Sequence, residues 1–163
     1  MTDMPNLPDH IRPGSEFEIG SFVFEKDDIL RFANAWDPQV FHTDESAAKE
    51  SLLGGLCASG WHTVSVWMKL QRKALARQAE ILSDQGKNAP EFGPSPGMKH
   101  VKWMHPVYVG DRITYKNEIL DIRASGSKPG WHIMSSRVYA ANQNGKTVMT
   151  FDSAVFLKLE KAQ

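Results

Sequence analysis

The sequence has almost no cysteine, no long apolar run and no excess of charge of either sign. Cys57 is the single cysteine in 163 residues, so no disulfide can form within the chain and a reducing compartment is expected. No apolar run reaches the roughly 18 residues that a membrane-spanning helix needs. Nineteen basic residues balance nineteen acidic ones, which argues against nucleic acid or an anionic membrane as a partner. The start of the sequence has neither a basic nor an apolar signal region, so we expect a cytoplasmic protein.

The length and composition are those of an ordinary globular protein. Hydrophobic residues make up 41% of the chain and charged residues 23%, and a chain of this length fits one domain. We therefore expect a single domain over residues 1–163. Its first part, residues 1–16, is rich in proline and lacks periodicity, and we interpret it as an extended N-terminal arm.

Helical and strand patterns divide the chain in two. Residues 17–24 are aromatic and β-branched and predict a first strand. Asp27 is a candidate cap for a helix that Pro38 ends, and a short helix is expected between Thr43 and the glycine pair at 54–55. The longest helix is predicted from about Gly60 to Ser83, with Ser59 as its N-cap. Its shared apolar face is predicted from five residues: Trp61, Val64, Ser65, Met68 and Leu75.

The second half of the chain has the pattern of strands joined by tight turns. After a loop at 87–97, four strands are predicted over 98–109, 112–123, 131–142 and 147–159. Asn144-Gly145 is a strong hairpin signal. Short connections give an antiparallel sheet, whose apolar face needs a cover. The helix that begins at Gly60 is the only large apolar object available, so we predict an α+β hot-dog fold: about five antiparallel strands around one long central helix.

Two segments carry groups with possible chemistry. Asp37 and His42 lie in the turn between two predicted helices, where their side chains could converge as an acid/base pair. An aspartate that caps a turn and a histidine bonded to backbone would give the same spacing, and spacing alone favours that structural reading. The unpaired amides at the start of the long helix could hold a carbonyl oxygen at Gly60, although a glycine needed only for packing is about equally expected. The remaining histidines lack the spacing of zinc ligands, so no metal site is predicted.

Three segments resemble one family. FANAWDPQVFHTD at 32–44 resembles the hydratase signature of the MaoC-like dehydratases and R-specific enoyl-CoA hydratases, in which a helix end precedes Asp-x-Asn-Pro-x-His. GGLCASGW at 54–61 resembles the family's entry to its central helix, and VKWMHPVYVGD at 101–111 resembles its strand with Trp, Pro-Val and Gly-Asp. The matches occur in the same order as in the family and are spread over roughly residues 17–158. The departures are Gln39 and Val40, which replace Asn and Pro, and Ser59, which replaces a frequent His.

The resemblance implies roles for individual residues. Asp37 and His42 match the catalytic dyad, and Gly60 matches the glycine whose amide holds the thioester carbonyl. Ser65 matches a serine that hydrogen-bonds the catalytic aspartate in some members. The residues expected to contact the substrate are Ser59, Gly60, Ser65 and Trp103.

The implied activity is reversible hydration of a 2-enoyl-CoA, or a related enoyl thioester, to the (R)-3-hydroxyacyl thioester. The acyl carrier would be coenzyme A or an acyl carrier protein, coenzyme A would enter as part of the substrate, and no other cofactor is implied. Family members form dimers, so a homodimer or a higher even oligomer is expected. A hot-dog acyl-CoA thioesterase and a non-catalytic acyl-binding domain remain as alternatives.

Overall fold

The computed structural model describes residues 11–159. Five long strands and one two-residue strand form a single antiparallel sheet, and four helices precede all but the first strand. The strands are β1 (Glu16–Val23), β2 (Glu91–Phe92), β3 (Gly97–Trp103), β4 (Arg112–Ala124), β5 (His132–Ala141) and β6 (Thr147–Lys158). The helices are α1 (Lys26–Trp36), α2 (Val40–Thr43), α3 (Glu45–Glu50) and α4 (Gly60–Asp84).

The sheet curls around α4, which confirms the predicted hot-dog fold. The strand order is β1-β4-β5-β6, and both β2 and β3 pair with β6. Side chains on the concave face, including Tyr115 and Phe151, are fully buried against Val66 and Trp67 of the helix. The Trp67 ring meets the Phe151 ring edge to face, with 4.9 Å between their centroids. Its indole N–H donates to Asn117 at 3.1 Å, so the helix is held by polar as well as apolar contacts.

The start of α1 and the end of α3 differ from the prediction. α1 begins at Lys26 after an extended Glu25, so Asp27 lies in the first turn, where a carboxylate favours the helix dipole, and is not the cap. α1 ends at Trp36, as the proline two residues on predicts. α3 ends at Glu50 and not at the glycine pair. The reason is Ser51, whose hydroxyl donates to the Ala48 carbonyl at 2.7 Å and accepts from Leu53 N at 3.2 Å.

The apolar face predicted for α4 is not the face that packs on the sheet. The buried positions in the first half are His62, Thr63, Val66 and Trp67, whereas the predicted Trp61, Ser65 and Met68 are exposed. The first half of α4 is apolar nearly all round, so periodicity could not choose between its faces. Packing against the concave face of the sheet determines which side of the helix is buried.

The predicted strand over 98–109 is shorter in the structure. β3 ends at Trp103, and the chain then turns toward the start of α4. There Ala58 N donates to the Val107 carbonyl at 2.8 Å, and Cys57 and Tyr108 form an isolated antiparallel bridge. This pairing explains why the strand leaves the sheet early, and it places residues 103–107 beside the N-terminus of the central helix.

The N-terminal arm is only partly within the described residues. Residues 1–10 of the predicted arm lie outside them. Ile11 is buried with a second apolar cluster that includes Ile119, Ile122 and Leu157, and Gly14 N donates to the Ile119 carbonyl at 2.7 Å. The end of the arm therefore packs on the sheet. No helix within residues 11–159 has the length and apolar character required to cross a membrane.

Candidate active site

A cavity of about 420 Å³ lies at the N-terminus of α4. The turn after α1, helix α2, the segment before α4 and residues 103–107 form its walls, and Val148 and Met149 of β6 add apolar surface. The predicted residues Asp37, His42, Gly60 and Trp103 all line it. A larger cavity of about 720 Å³ lies along the second half of α4 and contains none of them. We therefore take the smaller cavity as the candidate active site.

Asp37 and His42 meet in this cavity. Asp37 is the residue at the C-terminal cap of α1, and His42 lies in the single turn of α2. The Asp37 Oδ2 and His42 Nε2 atoms are 3.5 Å apart. The His42 side chain is only 7% exposed and that of Asp37 19% exposed. The predicted convergence of the two side chains is thus present in the structure.

The orientation of His42 is fixed from behind by the backbone. His42 Nδ1 lies 2.7 Å from the Cys57 carbonyl oxygen. A carbonyl oxygen can only accept, so Nδ1 carries the proton and donates. In the neutral imidazole, Nε2 is then an unprotonated acceptor that faces Asp37 and the cavity. This is the tautomer that a general base at Nε2 requires.

Two donors hold the Asp37 carboxylate. The Ser59 hydroxyl donates to Oδ2 at 2.6 Å, and Gln39 Nε2 donates to Oδ1 at 2.8 Å. Partial burial alone raises the pKa of Asp37, but the hydrogen bonds from Ser59 and Gln39, together with nearby His42, outweigh it and leave the pKa below its usual value. The carboxylate is therefore ionised at neutral pH and has both oxygens oriented.

The start of α4 leaves one backbone donor free. Ser59 is the N-cap, as predicted, and its hydroxyl accepts from Trp61 N at 3.2 Å. His62 N and Thr63 N donate to the Ser59 carbonyl at 3.0 and 3.2 Å. Within the described chain, Gly60 N is the amide of this first turn that has no acceptor. It lies at the cavity, where it can receive an oxygen of a ligand.

Gly60 must be glycine because an indole ring covers it. A Cβ atom at this position would lie 2.5 Å from both Cε2 and Nε1 of Trp103, which is far inside the contact distance. The Trp103 ring also meets Trp61 edge to face, with centroids 5.2 Å apart. Both aromatic side chains are about half exposed, and both line the cavity.

Comparison with known proteins decides the family. The model of the MaoC-like domain matches residues 11–130, a span that contains the dyad, the start of α4 and Trp103. The chain belongs to the MaoC-like family. Membership supports a hydratase or dehydratase role for this MaoC-like protein.

Individual relatives are similar to this protein over nearly the whole chain. A MaoC-like dehydratase from Rhodospirillum rubrum has a TM-score of 0.76 at 29% identity, covering 94% of this chain and 97% of that structure. The (R)-hydratase of A. caviae involved in PHA biosynthesis has a TM-score of 0.64, and the match covers 94% of this chain and 100% of that structure. At 19% identity this likeness shows the shared fold alone. YdeM of Bacillus subtilis, an uncharacterised protein, is 28% identical over 150 residues, covering 92% of this chain and 97% of its own.

The structure corrects the role predicted for Ser65. Its hydroxyl donates to the Trp61 carbonyl at 2.8 Å, one turn back along the helix, and the side chain is exposed. The hydrogen bond to Asp37 that the resemblance implied for Ser65 is made by Ser59. Ser59 can do so because the N-cap hydroxyl uses its lone pair for Trp61 N and keeps its proton for the carboxylate.

Two contributors to the site were missed by sequence reasoning. In the sequence, Gln39 is only a departure from the MaoC-like signature, whereas in the structure its side-chain amide donates a hydrogen bond to Asp37 Oδ1. The carbonyl of Cys57 anchors His42, and backbone acceptors leave no signal in a sequence. The Cys57 thiol itself is buried, and burial raises its pKa to about 11. The thiol is therefore an inert small side chain and not a nucleophile.

Proposed function

We propose that the protein catalyses the reversible hydration of a 2-enoyl-CoA, or a related enoyl thioester, to the (R)-3-hydroxyacyl thioester. The observation that carries the proposal is the meeting of Asp37 and His42 as two proton acceptors in one cavity. The Asp37 carboxylate is ionised, and Nε2 is the acceptor of His42 whenever the imidazole is neutral, because Nδ1 donates to the Cys57 carbonyl. At 3.5 Å two acceptors cannot bond to one another, so both are available to a donor placed between them.

A water molecule supplies that donor. One O–H can point to Asp37 Oδ2 and the other to His42 Nε2, which leaves a lone pair of the water oxygen free to attack C3 of the enoyl group. As the O–C3 bond forms, a water proton passes to the dyad and the C2–C3 π electrons move toward the thioester carbonyl. Return of the proton to C2 then completes the addition of water. General acid–base help of this kind contributes about 10² to 10⁴ in rate.

The Gly60 amide is proposed to hold the thioester oxygen. Negative charge develops on that oxygen when C3 is attacked, and a backbone N–H at a helix N-terminus stabilises it. The chemistry needs no electron transfer, so we propose no redox cofactor and no metal. Coenzyme A, or the pantetheine arm of an acyl carrier protein, enters as part of the substrate, and such a substrate suits a cytoplasmic protein.

A thioesterase is the second candidate, because the same groups could serve it. An ionised Asp37 close to a free helix N-terminal amide could direct water to the carbonyl carbon instead of C3. The position of His42 favours hydration, since its Nε2 is a second acceptor that can orient a water molecule for attack at C3. The two reactions differ in the bond that changes: hydration forms a bond between the water oxygen and C3, whereas a thioesterase breaks the bond between the carbonyl carbon and sulfur.

We propose that the active form is a homodimer. Large apolar side chains are exposed around the cavity mouth, including Trp61 at 55%, Trp103 at 44% and Met104 at 43%. Apolar patches of this kind mark interaction surfaces. β3 pairs with β6 on one side, and its other side is an open edge among the described residues, which two-fold pairing would protect. Light scattering at micromolar concentration should give twice the chain mass, and a monomer would contradict the proposal.

Substitution of the dyad tests the proposed chemistry. His42→Ala and Asp37→Asn should each lower the hydration rate by about 10² to 10⁴, with circular dichroism unchanged. The matched control is His100→Ala, because His100 also pairs with an aspartate, Asp152 at 2.9 Å, but lies away from the cavity. The control should hydrate at the normal rate. Near-normal turnover by a folded dyad variant would remove that residue from the mechanism.

A further inference from the structure

We infer that the indole N–H of Trp103 is a second donor to the thioester oxygen, acting together with the Gly60 amide. This inference rests on the proposed hydration and gives Trp103 a catalytic contact, whereas the sequence predicted only substrate binding. The observations that carry it are the position of the indole nitrogen, its lack of an acceptor among residues 11–159 and the packing of the ring on Gly60 and Trp61.

The two nitrogens lie close enough to share one oxygen. Trp103 Nε1 is 2.5 Å from the point where a Cβ of Gly60 would be. That point is itself about 2.5 Å from Gly60 N in standard backbone geometry, so the two nitrogens are within about 5 Å of one another. An oxygen that accepts hydrogen bonds of about 2.9 Å from both requires a separation below roughly 5.8 Å. The spacing therefore permits a two-donor site.

Both donors are free within residues 11–159. An indole nitrogen can only donate, and Trp103 Nε1 has no acceptor in the described part of the chain. The buried Trp67 differs, since its indole donates to Asn117. The neighbouring amides at the start of α4 donate to Ser59. Gly60 N and Trp103 Nε1 therefore both remain available to a ligand at this end of the helix.

The Trp103 ring is held in place before substrate arrives. It is the last residue of β3 and pairs with Met149 of β6, and its ring packs on Gly60 and against the edge of Trp61. A fixed donor costs little reorganisation when charge develops, which is the condition under which such donors accelerate a reaction. Gly60 thus has two uses: its N–H binds oxygen, and its missing side chain admits the second donor.

Trp103→Phe tests the role, because it keeps an aromatic ring over Gly60 and removes the N–H. Losing one such donor should lower kcat by on the order of 10², with a smaller change in KM. The matched control is Trp131→Phe. Trp131 also packs over a glycine, Gly93, with a would-be Cβ contact of 2.8 Å, but it lies outside the cavity, and its replacement should leave kcat unchanged. A wild-type kcat in Trp103→Phe would overturn the inference while leaving hydration intact.

A spectroscopic measurement separates polarisation from packing and does not depend on turnover. A saturated acyl-CoA labelled with ¹³C at the thioester carbonyl cannot be hydrated, and calorimetry with wild-type protein selects the chain length that binds best. Two donors should lower the bound carbonyl stretching frequency, and Trp103→Phe should lose part of that shift. An equal shift in both proteins would overturn the inference. Failure of every saturated chain length to bind would count against this inference and the proposed function together.

A second variant guards against misfolding of Trp103→Phe. Trp103→benzothienylalanine replaces the indole nitrogen with sulfur and keeps the size and shape of the ring. It should show the same losses in kcat and in carbonyl shift as the phenylalanine variant. Full recovery of both values in this isostere would show that the ring, and not its N–H, is what the site needs.

Discussion

Replacing Ser59 with alanine removes two hydrogen bonds at once, because one hydroxyl both caps α4 and holds the Asp37 carboxylate. Loss of the cap to Trp61 N should lower the free energy of unfolding by about 1 kcal/mol. Loss of the 2.6 Å bond to Asp37 Oδ2 removes a hydrogen bond to a charged group, for which about 1.5 kcal/mol is a modest value. If that energy serves the transition state, hydration at neutral pH falls about tenfold.

The same substitution should change the pH dependence. Burial raises the pKa of Asp37, while the bonds from Ser59 and Gln39 lower it. Without Ser59 the pKa rises, so the carboxylate is protonated at a higher pH than in the wild type. The acid limb of the kcat/KM profile should therefore move upward in pH. Ser59→Thr keeps a hydroxyl at the cap and should restore both the rate and the position of the limb.

The assay is a pH–rate profile together with urea unfolding. Asp44→Ala is the matched control, since Asp44 caps α3 by accepting from Ala47 N at 2.8 Å and does not touch the dyad. It should lower stability by a similar amount without moving the acid limb. If the Ser59→Ala profile coincides with that of Asp44→Ala, the bond from Ser59 to Asp37 has no part in catalysis and our account of the carboxylate is refuted.

Two further substitutions test packing and charge. Gly60→Ala should displace the Trp103 ring, since the new Cβ would lie 2.5 Å from it. We expect this variant to lose about 1–3 kcal/mol of stability and most of its hydration activity. Gly126→Ala is the control, because nothing lies within 4 Å of the added Cβ, and it should change neither stability nor activity. His62 is buried, and burial lowers its pKa from 6.5 to about 4, so protonation favours the unfolded chain. Stability should fall by about 3 kcal/mol as pH drops from 6.5 to about 4, and His62→Phe should remove that part of the dependence. If the free energy of unfolding depends on pH equally in the wild type and in His62→Phe, the role assigned to His62 is contradicted.

The fold could be predicted because its main elements are marked by local sequence. Turn residues such as Asn144-Gly145 delimit the strands of the second half, and Ser59 has the side chain that an N-cap needs. The errors fall where distant contacts decide. β3 ends early because residues 107–108 pair with 57–58, and the buried face of α4 is chosen by the sheet. Local periodicity contains neither piece of information.

Part of the site could be predicted because its residues also lie in short local segments. Asp37, His42 and Gly60 lie in short segments that resemble the MaoC-like signature, so their proximity followed from the family. The hydrogen bond to Asp37 was assigned to Ser65, five positions beyond Gly60, whereas Ser59 makes it. Which hydroxyl reaches the carboxylate depends on how the turn after α1 lies against the start of α4. That arrangement is tertiary and cannot be read from spacing.

The most direct test of the central claim asks which carbon of the substrate receives water. Enoyl-CoA thioesters of several chain lengths, beginning with crotonyl-CoA and including branched chains, are incubated with the protein while the conjugated-enoyl absorbance and free thiol are followed together. We predict loss of the absorbance without release of thiol, and a 3-hydroxyacyl product of R configuration. Free thiol that appears in step with substrate loss across the panel would show attack at the carbonyl carbon and would contradict the assignment.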